Sequence, residues 1–94
     1  MTDPRQLLLF QRSTLLDAAI GCQARYAARL ARIDNLREEL YVSPERHTAP
    51  QKLKVWNVTM MDALSQAREE AQMVLHYFNR IRQIDERLAQ LPAA

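Results

Sequence analysis

Ninety-four residues, 48% hydrophobic and 26% charged, suffice for one folded domain and are too apolar for a disordered chain. Thirteen Lys and Arg against eleven Asp and Glu leave a formal net charge of +2, which excludes a one-signed electrostatic surface. The single Cys excludes an internal disulfide, and no stretch approaches the roughly 20 apolar residues of a membrane span.

With one Gly and four Pro, and with Ala, Leu, Gln, Glu and Arg abundant, the composition favours helix over sheet. The opening "TDPRQ" predicts a helix start: Asp3 as cap, and Pro4 in the first turn, where its missing N–H is no loss. The run Leu7 to Phe10 is too short for the apolar region of a leader, so the expected location is the cytoplasm. No Pro follows until Pro44. Apolar residues recur at Leu8, Leu9, Leu15, Leu16, Ala19, Cys22, Tyr26, Leu30, Ile33, Leu36 and Leu40, the spacing of one helix face. A first helix over about 4–42 is expected, some 55 Å long at about 1.5 Å per residue.

"YVSPERHTAPQK" interrupts it, because each Pro disfavours helical geometry in the residue before it. A loop over about 43–49 is expected, with a short turn at Ser43-Pro44-Glu45. The restart at "TAPQ" leaves two caps open: Thr48 answered by Gln51, or Ala49 with Pro50 as the first helical residue. The second helix is expected over about 50–91, where Leu53, Met60, Ala67, Val74, Ile81 and Leu88 repeat every seventh position. Trp56, Ala63, Tyr77, Ile84 and Leu91 follow three residues behind, with Glu70 as the exception, and Leu64, Ala71 and Phe78 broaden the stripe. Pro92 ends the helix.

Two long helices on a short loop fold back antiparallel, so the fold class is all-α, a long helical hairpin forming one domain over 1–94. A turn centred near Arg46-His47 opposes positions whose numbers add to about 93. This register sets Leu40 on Leu53, Ile33 on Met60, Leu30 on Ala63, Tyr26 on Ala67, Cys22 on Ala71, Ala19 on Val74 and Leu15 on Phe78. Large residues then face small ones across most layers, as dense packing requires. Arg12 and Arg5 are aimed at Ile81 and Leu88, which predicts a loose open end or an acidic partner group there.

A lone two-helix seam hardly offsets the ordering entropy of its chain. Apolar residues also remain off the seam. Leu7, Phe10, Val55, Val58, Met61, Met73 and Leu75 are therefore the expected partner-binding residues. The partner is expected to be a second copy, giving a four-helix bundle, or another protein's helix or groove.

Signs of catalysis are few. His47 and His76 lack a carboxylate, His or Cys at helical spacing, so neither a zinc site nor a di-metal carboxylate site is expected. Cys22 reads as a small core residue, and no phosphate loop or serine elbow occurs. No cofactor and no enzymatic activity are expected. "RLARIDNLREEL" resembles, over a turn or two, the N-terminal Arg-rich helix of helical-dimer chorismate mutases. The Arg, Lys, Asp, Glu and Gln cluster of that family does not occur at matching positions, and no family is assigned. The functional expectation is a non-enzymatic protein–protein interaction module: a small adaptor, chaperone, inhibitor or assembly component. The alternative is a nucleic-acid-binding bundle using Arg25, Arg29 and Arg32, which resembles the plasmid RNA-binding four-helix bundles in architecture alone.

Overall fold

Helix α1 (Pro4–Val42) begins directly after Asp3. The Asp3 side chain accepts the Arg5 N–H at 3.0 Å, and its carbonyl accepts the Leu7 N–H at 3.0 Å. One of the four orphan donors of the first turn is thus satisfied by the cap. Helix α2 (Pro50–Gln90) begins differently. Ala49 is the extended N-cap, with φ −97° and ψ 106°, and Pro50 follows it with no N–H to satisfy. The second of the two expected starts is the one formed, with no side-chain cap hydrogen bond. At the far end Leu91 turns extended ahead of Pro92, and its N–H donates to the Leu88 carbonyl at 3.2 Å.

The structure, a computed structural model, describes residues 3–42 and 49–92. The expected turn at Ser43-Pro44-Glu45, together with His47 and Thr48, lies outside them. Among the described residues there is no strand, and the helices lie side by side in an elongated hairpin of 70 × 19 × 16 Å.

Two apolar clusters hold the arms together. Near the loop, Ile33 and Leu36 of α1 pack with Met60, Ala63 and Ala67 of α2, flanked by Tyr26 and Trp56. The Trp56 indole N–H donates to the Leu36 carbonyl at 2.7 Å, tying the aromatic ring to the opposite backbone. Toward the open end, Leu8 and Leu15 pack with Ile81 and Ile84, flanked by Leu16, Tyr77, Leu88 and Leu91. Ala19 and Cys22, both buried, lie between these clusters in sequence. No large side chain among the described residues is fully enclosed, the mark of a seam rather than an interior.

Two expected pairs, Ile33 with Met60 and Tyr26 with Ala67, share the loop-side cluster, but elsewhere the register is offset by two to four positions from the one expected. Arg12 meets Asp85, four positions beyond Ile81, and Arg25 meets Glu70 rather than its neighbour at 68. Leu15 is buried with Ile81 and Ile84, while its expected partner Phe78 is 40% exposed. Leu30, expected over Ala63, is 41% exposed. Side chains of antiparallel helices interlock by offset, each knob resting between residues of the facing helix. That interlock sets the register, and the midpoint of a loop does not.

Candidate functional site

The seam residues of α1 recur at Leu8, Leu15, Cys22, Arg29 and Leu36 and at Arg12, Ala19, Tyr26, Ile33 and Leu40. The next residue along a helix is rotated by about 100°. Because the two helices run in opposite directions, that one step turns both chains to the same side of the hairpin. On α1 it reaches Leu9, Leu16, Ile20 and Leu30; on α2 it reaches Met61, Leu64, Leu75 and Phe78. All are exposed except Leu16, which is half-buried, and Ala27 and Ala71 fill in between them. Gln23 and Arg68 interrupt the middle of this side, with Ser13, Arg82 and Asp85 toward its open end and Asp34, Arg37, Lys54 and Asn57 toward its loop end.

The residue before each seam position falls on the other side. There α1 presents Gln11, Arg25 and Arg32, and α2 presents Asp62, Gln66, Glu69, Arg80 and Arg87. The first side, richer in large exposed apolar residues, is the apolar side of the hairpin and the second its charged side, although each carries residues of the other kind. Apolar residues are spread around the circumference of α1, whereas α2 is more strongly one-sided. A helix with apolar groups beyond its own seam has more than one surface to cover.

The seven expected partner-binding residues are all exposed, from 41% at Met73 to 70% at Phe10. They do not share one surface. Met61 and Leu75 lie on the apolar side. Leu7, Val55 and Met73 lie on the charged side, and Phe10 and Val58 lie on the backs of their helices. The residues that complete the apolar side with Met61 and Leu75 are hidden by the seam pattern or stand outside it. Leu9, Leu16, Leu30, Leu64 and Phe78 read as seam residues because each adjoins one, and Ile20 falls outside the seam spacing. The available signal was the one-residue offset recurring in both helices.

The arginines are disposed individually. Arg25 donates from Nε to both carboxylate oxygens of Glu70, at 3.1 and 3.3 Å, and from Nη2 to the Cys22 Sγ at 3.0 Å. The Glu70 charge, foremost among several causes, raises the Arg25 pKa above its ordinary value. Arg29 is half-buried at a seam position, and its Nε is buried without a hydrogen-bond partner. Arg32 is exposed. The three do not form a strip of equivalent cations, since one is neutralised and one is folded into the seam. At the open end Arg12 donates from Nε to Asp85 at 2.7 Å, and that hydrogen bond is the leading cause of its raised pKa. The acidic group expected there from a partner is supplied by α2 itself.

Other chemistry-bearing residues are dispersed. The exposed His76 ring lies against Tyr77, centroids 5.8 Å apart and planes at 58°. Cys22 is a buried free thiol. No group of three or more His, Cys, Asp and Glu able to hold a metal ion occurs among the described residues. A shallow groove of about 390 Å³ lies at the open end between Pro4, Leu7 and Gln11 of α1 and Arg87, Gln90 and Leu91. No described helix is long and apolar enough to cross a membrane. The chain matches no protein-family model, no curated protein and no solved structure.

Proposed function

We propose that this chain is a non-enzymatic protein–protein interaction module, of the adaptor, chaperone, inhibitor or assembly-component kind, acting in the cytoplasm. Its working surface is the apolar side of the hairpin. The observation that carries this reading is the concentration of Leu9, Ile20, Leu30, Met61, Leu64, Leu75 and Phe78, all exposed, on one side, where the opposite side exposes Leu7, Val42, Val55 and Met73. Scattered exposed leucines are ordinary on protein surfaces, but seven large apolar side chains exposed along one side of a body only 19 Å wide are not. Covering it removes apolar area from water at about 25 cal/mol per Å², and polar groups at the margin fix orientation. Helices of a second copy or of another protein suit a surface of this shape.

Photo-crosslinking in cells tests the reading. A benzophenone side chain placed at Leu75 is expected to give discrete higher-mass adducts, and one placed at Gln66 on the charged side none. Equal yields from the two positions overturn the assignment of the surface.

A further inference from the structure

We propose that the occupant of the apolar side is a second copy of this chain, aligned loop end to loop end, so that α1 of each hairpin lies over α2 of the other. This rests on the reading of that side as an interaction surface. Three observations carry it.

The first is size. The Arg25–Glu70 contact sets the level of α2 against α1, and on that scale the apolar side runs from Leu9 to the level of Met61. At about 1.5 Å per residue this is roughly 38 Å. With the 19 Å width of the hairpin it offers each copy roughly 700 Å², close to the roughly 800 Å² per partner of a stable interface.

The second is self-complementarity. Leu16 and Phe78 share one level, Ile20 and Leu75 another, and Leu30 and Leu64 a third. A two-fold axis along the hairpin exchanges α1 and α2 while preserving level, so every one of these pairs meets its own image. Apolar layers of four result, as in a four-helix bundle. Gln23 then faces the small Ala71.

Charge is the third. Asp34 and Arg68 stand on opposite margins of the apolar side, and neither is in an ion pair among the described residues. Helical side chains lean toward the N-terminus of their own helix. Arg68 therefore leans toward the loop end and Asp34 toward the open end. The two-fold sets each Asp34 above the margin that carries the other copy's Arg68, and the opposed leans close the roughly 10 Å between their levels.

The test uses the full chain with Cys22→Ala and Gln51→Cys, nitroxide-labelled at position 51 and measured by pulsed dipolar spectroscopy. Gln51 is exposed on the back of α2 near the loop end. The proposal expects an intermolecular distance of about 20–35 Å, set by the packing of helices about 10 Å across. A distance of about 60 Å, the separation of opposite ends at about 1.5 Å per residue, overturns the alignment. The absence of any intermolecular distance at high micromolar concentration overturns the second copy as occupant. If photo-adducts to other proteins still form from Leu75 in that case, the interaction reading survives; if they are absent too, both fall. Adding Leu75→Glu is expected to abolish the distance with helicity retained, and its persistence overturns the surface assignment.

Discussion

Trp56 offers the sharpest test of how the arms are joined. Its indole N–H reaches the Leu36 carbonyl at 2.7 Å, and its ring flanks the cluster of Ile33, Leu36 and Met60. Trp56→Phe keeps an aromatic ring there and removes the donor. The Leu36 carbonyl retains its place in the hydrogen-bond ladder of α1, so no buried acceptor is orphaned. The loss is that of one net hydrogen bond, about 1 kcal/mol. For a domain of this size that lowers the melting temperature by roughly 4–8 °C. Trp56→Ala removes the ring as well, and a half-buried indole falls at the lower end of the measured losses, about 3 kcal/mol. Against a total stability of roughly 5–15 kcal/mol, that variant melts far earlier or is partly unfolded at 25 °C. Thermal melts followed by circular dichroism at 222 nm read both losses without needing the tryptophan signal. If Trp56→Phe melts with the parent and Trp56→Ala loses less than about 1 kcal/mol, the indole does not clasp α1 and the loop-side cluster is wrongly drawn.

Arg29→Met replaces a seam residue whose Nε has no partner, and is expected to stabilise by about 1 kcal/mol in urea titrations; destabilisation would show that the guanidinium is satisfied within the fold. Arg12→Gln removes the bond to Asp85 and is expected to speed amide exchange over 4–15 and 81–90 with little change elsewhere; unchanged exchange means the pair does not hold the open end. Ala67→Trp overfills the cluster flanked by Tyr26 and is expected to cost about 1–3 kcal/mol or to reorganise the chain, whereas parental melting rejects the packing described. Retention on heparin tests the nucleic-acid alternative: Arg25→Gln, Arg29→Gln and Arg32→Gln together should abolish any that the parent shows, and a parent that passes unretained removes that alternative.

The helix limits were legible because punctuation is local. Asp3-Pro4, Pro50 and Pro92 act through one or two residues of backbone, and no distant contact can override a missing N–H. The seam of α2 was legible too, since its sevenfold repeat persists for nearly six heptads. What could not be read was which of two adjoining stripes faced the other arm. Leu8 and Leu9, like Leu15 and Leu16, are neighbours in sequence, and each starts an apolar stripe of its own about 100° from the other. Burial separates them, and burial depends on register. A register taken from the loop midpoint put Leu30 and Phe78 inside, whereas interlocking leaves them outside. The apolar side was therefore absorbed into the core, and isolated residues such as Phe10 and Val58 stood in for it.

The lone thiol has a use that follows from its place. Cys22 is 2% exposed, between two clusters that must part for a reagent to reach it, and its sulfur accepts a hydrogen bond from Arg25. A bulky aromatic disulfide added to the native protein can attack only during such an excursion. The rate of its colour change thus times the breathing of the arms, an intrinsic stopwatch that any variant preserving Cys22 carries with it.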